Sequence, residues 1–144
     1  MPCSRHNTFA LADELTRRTD LASDREAVVR AAIGRAYYST YYIAAELHRF
    51  LGSPAPSRQN LGSHAKLIDA LFVGTQNLGN AERAILSTNI RMMESLLKLR
   101  KQADYDVADT IAGLAAIQAV DKANRVASGF EKYMARAKAA ANPA

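Results

Sequence analysis

Apolar residues recur at alternating steps of three and four along nearly the whole chain, the spacing of one face of an α-helix. Period-two alternation of β-branched residues is missing, as are Asn-Gly and Asp-Gly hairpins, so no strands are expected. Phe9, Leu11, Ala12 and Leu15 form the apolar side of a short first helix, which Thr8 can cap. Ser23 and Glu26 have capping-box spacing and start a long second helix. That helix runs to about Leu51, where Gly52 suits a left-handed stop. Its inward row is Val29, Ile33, Ala36, Thr40, Ile43, Leu47 and Phe50. At ~1.5 Å per residue it is roughly 40 Å long, the spine of a bundle.

Residues 52 to 62 hold Pro54, Pro56 and Gly62 and read as a loop. A short helix follows from Ser63, carrying Leu67, Ile68, Leu71 and Phe72. Gly74 to Asn80 reads as a second break, with Asn80 able to cap the next helix, about Ala81 to Ala103. Asp109 can cap a last helix reaching about Lys138, with Ile111, Leu114, Ile117, Val120, Val126, Phe130 and Tyr133 as its apolar set. The alanines between them permit close approach of neighbouring helices, and residues 137 to 144 are expected to fray. With no internal repeat or boundary, the expectation is one domain over residues 1 to 144, its core at about 8 to 138. The fold class is all-α, an antiparallel bundle of four to five helices.

One position breaks the pattern. The apolar row Leu86, Ile90, Met93 and Leu97 continues directly onto Arg100. Burying a guanidinium costs several kcal/mol unless it is paired and hydrogen-bonded, so an inward charge has a partner or a task. Asp104 and Asp106 are the nearby candidates, with Tyr105 between them.

The long second helix carries Arg35-Ala36-Tyr37-Tyr38-Ser39-Thr40-Tyr41-Tyr42, four of the chain's six tyrosines. Arg35, Tyr38 and Tyr42 share one flank of the inward row, and Tyr37 and Tyr41 share the other. Most of these rings are expected to pack, with hydroxyls reaching water or backbone. The sharper alternative sets Arg35 and some hydroxyls beside Arg100 in a polar groove fit for a phosphate-bearing ligand.

Composition narrows the partners. The 144 residues can bury roughly two thirds of their unfolded surface without disulfides or metal. Nineteen basic and 14 acidic residues leave +5, compatible with nucleic acid but equally with solubilising surface, because the charges are spread along the chain. No apolar run approaches the ~18 residues needed to cross a bilayer, so no membrane is expected. The start, Met-Pro-Cys-Ser-Arg-His, lacks the apolar core of a secretory signal. Cys3 is the single cysteine, and a reducing cytoplasm is the expected location. His6, His48 and His64 form no metal-ligand spacing with Cys, Asp or Glu. His48 can interact with its helix dipole, and His64, just inside a helix start, reads as structural. There is no Gly-rich phosphate loop and no Gly-x-Ser-x-Gly, so neither a cofactor nor a metal is expected.

The pairing of Ala32-Ile33-Gly34-Arg35-Ala36-Tyr37-Tyr38 with Leu99-Arg100-Lys101-Gln102-Ala103-Asp104-Tyr105-Asp106 resembles the HEPN domain superfamily. The closest branch is the small stand-alone prokaryotic proteins with an Arg-x-x-Ala-Asp-Tyr-type motif. Ser63-His64, followed by Leu67, Leu71 and Phe72, resembles that branch's short middle helix, and the likeness runs through most of residues 8 to 137. The resemblance implies a HEPN-like bundle that dimerises, with the arginine motifs of two subunits facing a shared cleft. It implies either a metal-independent ribonuclease of a toxin–antitoxin, CRISPR-associated or phage-defence system, or a non-catalytic binding module. A small nucleotidyltransferase antitoxin or another protein is an implied partner.

Active members carry an arginine followed four to six residues later by histidine. Arg100 matches the arginine, but Tyr105 stands where the histidine would be. Cleavage by the neighbouring 2′-hydroxyl needs proton transfer as well as charge stabilisation at phosphorus. A phenol is roughly one part in a thousand ionised at pH 7, and a carboxylate is a weak base. His64, on another helix, is not expected to substitute. Two classes stay open: an RNA-cleaving protein using Arg100, Tyr105 and Asp104, with Arg35, Tyr38 and Tyr42 binding RNA or phosphate, or a non-catalytic module binding RNA, a nucleotide or a protein.

Overall fold

A computed structural model describes residues 5–17, 25–106, 111 and 113–141. The described residues form five helices and no strands: α1 (Arg5–Arg17), α2 (Arg25–Phe50), α3 (Ser63–Thr75), α4 (Asn80–Tyr105) and α5 (Gly113–Ala141). The all-α bundle expected from the periodicity is what the chain forms, and among the described residues no helix is long and apolar enough to cross a membrane.

The long second helix is the spine, since α2 touches each of the other four. Six of its seven inward positions, Val29 to Leu47, are buried. Thr40 is fully buried, and its hydroxyl donates to the Tyr37 carbonyl at 2.7 Å, so no polar group is stranded. Phe50 instead emerges to 36 % exposure and leans edge-on against Tyr133 of α5, ring centres 6.0 Å apart. Gly52, at φ 87°, makes the left-handed stop that its position predicts. On α5, Ala116, Ala119, Ala123 and Ala127 are buried at steps of three and four. Side chains this small let two backbones approach. Gly129 goes further: a Cβ there would lie 2.1 Å from Asn89 Nδ2 of α4.

Local expectations fail where packing overrides them. α1 begins at Arg5, so Thr8 lies inside the helix, buried, and does not cap it. The capping residues Ser23 and Asp109 lie outside the described residues, and Glu26 uses its carboxylate elsewhere. Gly74 does not break α3. It stays helical, and a Cβ there would lie 3.0 Å from Leu51 Cδ1 and Pro54 Cγ, a tight fit that favours glycine. Asn80 is the first helical residue of α4 rather than its cap; Gly79 takes that place, and Asn80 Oδ1 accepts from Arg83 at 2.8 Å. Leu114 and Ile117 are exposed, because the alanine row takes the inward face and leaves them on its flanks. They border an open cavity of about 320 Å³ with Leu15 and Val28. The last helix extends to Ala141, past the expected end near Lys138, as its alanine-rich composition favours.

The loop after α2 is tied down from both ends. His48 Nε2 donates to the Pro54 carbonyl at 2.9 Å. Buried Asp69 of α3 accepts from the Ser57 amide at 2.6 Å, the Arg58 amide at 3.0 Å and the Ser57 hydroxyl. Burial alone would raise the Asp69 pKa, but the hydrogen bonds from Arg58 and Ser57 outweigh it and hold the carboxyl below its ordinary value. Asp69→Ala strands those amides and is expected to cost on the order of 2 kcal/mol, lowering Tm by roughly 5–8 °C. Because the folded pKa is depressed, Asp69 contributes fully above the ordinary carboxylate range. Its contribution disappears as pH falls through the lower folded value. Thermal scans of both proteins should therefore converge in acid and stay apart at neutral pH.

Candidate functional site

The C-terminal end of α4 presents two acids, Asp104 and Asp106, to the negative pole of its own helix, an unfavourable placement. Two arginines offset it. Arg30 of α2 sends Nη1 to the carbonyls of Gln102 (3.1 Å) and Ala103 (2.8 Å), and Nη2 to the carbonyl of Asp106 (3.2 Å). A helix end leaves such carbonyls short of donors; here Gln102 also accepts from the Asp106 amide at 3.1 Å. Glu26 fixes Arg30 in turn at 2.9 Å and accepts from the Ile111 amide at 3.3 Å. Nothing in the local sequence spacing announces this clasp beyond the four-residue step from Glu26 to Arg30.

Arg100 lies one turn further back. Its row points inward, and the side chain keeps only 12 % of its accessibility. Nη2 donates to the Tyr38 hydroxyl at 2.9 Å. Cζ stands 5.3 Å from the ring centre of Tyr38 and 5.7 Å from that of Tyr105, so the cation sits against two phenol faces. Nε lies 2.8 Å from Asp104 Oδ2, yet its N–H is not directed at the carboxylate. The pair is an ionic contact without a hydrogen bond. Arg100 Nε is the one buried side-chain polar atom among the described residues left in that state. Of the two candidate acids, Asp104 is the partner. Asp106 follows the last helical turn at φ −92°, ψ 66°, off the Arg100 face.

The residues singled out on α2 separate. Arg35 and Tyr38 border a shallow depression of about 250 Å³ with Arg30, Gly34 and Asp104. Gly34 keeps its floor low, with Asp104 Oδ1 3.9 Å from where a Cβ would be. Arg35 is exposed and has no ion-pair partner among the described residues. Tyr42 stands apart: it is 42 % exposed and touches Tyr41, ring centres 6.4 Å apart, without reaching the depression. Tyr105 is 68 % exposed and covers the guanidinium from outside.

A residue read as structural joins the group. His64, at the start of α3, has Nδ1 2.8 Å from the hydroxyl of fully buried Tyr37. Its ring centre lies 4.8 Å from Tyr41 and 6.0 Å from Tyr38, the same ring that Arg100 contacts. Partial burial lowers the His64 pKa, and the Arg100 and Lys101 charges lower it further, so the imidazole is neutral at pH 7. Burial drives the Tyr37 pKa well up, opposed in part by Arg100, so its hydroxyl keeps its proton. The only trace of this in the sequence is tyrosine at 37 and 41, one helical turn apart on the flank opposite Tyr42.

The arrangement can hold a phosphate oxygen on a guanidinium whose donors are partly unspent, between aromatic faces able to stack a base. Among the described residues no group of three or more His, Cys, Asp or Glu side chains could hold a metal ion. No protein-family model, curated protein or solved structure matches the chain.

Proposed function

We propose that this chain is an RNA-directed, HEPN-like protein that cleaves RNA without metal, with Arg100 as the group on the scissile phosphate. The observation that carries the reading is the incomplete bonding of Arg100: among the described residues its guanidinium makes a single hydrogen bond, from Nη2 to Tyr38, with Nε in ionic contact with Asp104. The Nη donors not used on Tyr38 are left for a ligand, and a phosphate oxygen matches both their charge and their fork geometry. Arg35 at the rim of the depression adds a second cation for the RNA backbone, and the net charge of +5 favours approach of a polyanion. Tyr105 and Tyr38 offer stacking faces, with Asp104 orienting the guanidinium. In this reading the protein works as a homodimer in the cytoplasm of a prokaryotic toxin–antitoxin or phage-defence system, restrained by a nucleotidyltransferase-type antitoxin or another protein.

A second reading, a non-catalytic module that binds RNA, a nucleotide or a protein, is favoured by one observation. Arg100 already has Asp104 and Tyr38, and no histidine follows it on α4. Incubation of purified protein with labelled structured RNA in EDTA separates the two. Cleavage leaving a 2′,3′-cyclic phosphate supports the ribonuclease; intact RNA retained on the protein supports the module.

A further inference from the structure

The proposed cleavage needs a stronger proton acceptor than the carboxylate of Asp104 or the phenol of Tyr105 on α4, and the bundle brings one from another helix. We propose that His64, held by Tyr37, is the proton-transfer group of the Arg100 centre and acts on RNA through Nε2. The inference rests on the ribonuclease reading above.

The geometry is specific. Nδ1 is committed to the Tyr37 hydroxyl at 2.8 Å, while Nε2 has no hydrogen-bond partner among the described residues and is the nitrogen left for a ligand. A hydroxyl both donates and accepts, so Tyr37 holds the ring in either tautomer. With Nδ1–H donating to Tyr37 Oη, Nε2 offers a lone pair. When Nε2 takes a proton, the imidazolium keeps the same Nδ1–H bond, and the ring need not turn. Three phenol rings, Tyr37, Tyr38 and Tyr41, contact the imidazole and fix its plane, at centre distances of 5.5, 6.0 and 4.8 Å. Tyr38 is shared with Arg100, which sets proton acceptor and phosphate-binding cation around one ring.

The step balances without a co-reactant. His64 Nε2 takes the proton of a ribose 2′-hydroxyl. The 2′-oxygen bonds to the adjacent phosphorus while Arg100 holds the developing negative charge. The bond from phosphorus to the 5′-oxygen breaks, and that oxygen takes a proton from water. The products are a 2′,3′-cyclic phosphate and a 5′-hydroxyl, and His64 returns its proton to solvent. The groups facing the imidazole are the three tyrosines of α2 and the Arg100 and Lys101 charges of α4. Partial burial, and then those cations, lower the His64 pKa and favour the neutral form that a base requires.

The test is cleavage of 5′-labelled structured RNA in EDTA from pH 5 to 9, using intact wild type, Arg100→Ala, His64→Gln, His64→Ala and Tyr37→Phe, each checked for folding by thermal unfolding. His64→Gln can keep a hydrogen bond to Tyr37 but cannot carry the proton. It is expected to slow cleavage on the order of 10²–10⁴-fold and to abolish the low-pH limb of the rate profile. His64→Ala should regain part of the rate with added imidazole, which a purely structural histidine would not show. Tyr37→Phe, removing a positioning hydroxyl, should shift the limb to lower pH, because the imidazolium loses its acceptor. If His64→Gln cleaves like wild type while Arg100→Ala does not, His64 is not the proton carrier and the ribonuclease reading stands. If wild type and Arg100→Ala both leave RNA intact, both proposals fall.

Discussion

Arg100→Ala is expected to reduce RNA cleavage by on the order of 10²–10³-fold, the loss typical of removing one preorganised donor from developing charge, while the protein stays folded. The two halves of this expectation come from different observations. Activity depends on the donors that the chain itself leaves unspent. Stability depends on the ones it uses, and among the described residues these are few: one hydrogen bond to Tyr38 and an ionic contact to Asp104. Asp104 keeps 36 % of its side-chain accessibility, so water can take over when the guanidinium goes. The contact also runs from a cation to an anion one turn later, the less favourable order in a helix. Its removal should therefore cost about 1 kcal/mol or less, some 3–4 °C in Tm at this chain length. Arg100→Lys tests the shape of the group: it keeps the charge but lacks the planar fork, and should recover only a fraction of the activity. Parallel cleavage assays and thermal scans check both halves. A Tm drop of 10 °C or more in Arg100→Ala would mark the arginine as a structural clasp.

Arg30→Ala should do the opposite. This side chain is 13 % accessible and serves three carbonyls of the α4 terminus besides the Glu26 carboxylate. Its loss takes the Arg30 donors from the Ala103 and Asp106 carbonyls, leaves Gln102 with the Asp106 amide, and deprives Glu26 of its cation. Breaking a network of this kind costs about 3–5 kcal/mol, so Tm should fall by roughly 10–15 °C. Arg30→Met, which keeps the aliphatic stem, should recover little, because the carbonyls need N–H groups rather than packing. Amide exchange in the last turn of α4 should rise well before the rest of the bundle opens in Arg30→Ala. A Tm within 3 °C of wild type would show that water satisfies those carbonyls.

How much of this could be read from the chain follows from the distance over which each feature is decided. Helix periodicity is local, so all five helices and the inward direction of Arg100 were legible from rows such as Leu86, Ile90, Met93 and Leu97. Asp104 was legible as one of two candidates; that Asp106 leaves the helix first was not. Gly74 was misread because a glycine's breaking tendency is intrinsic, whereas its use under Leu51 and Pro54 is tertiary. Leu114 and Ile117 were misread because hydrophobicity marked them for the core, and the smaller alanines took those places. The pairing of His64 with Tyr37 spans 27 residues, and the reach of Arg30 spans 72 to 76. No spacing rule extends that far.

The clasp between α2 and the end of α4 also has a bearing on synthesis. Closing a loop of that length is entropically expensive and comes late relative to helix formation. A chain growing from its N-terminus has α2 complete long before residues 102 to 106 exist, and the Glu26 bond to the Ile111 amide requires a still longer chain. The turn that carries Arg100 and Asp104 thus acquires its held shape only after residues 102 to 111 have been made, long after α2. A nascent chain on the ribosome, surrounded by RNA, does not yet hold that turn in place.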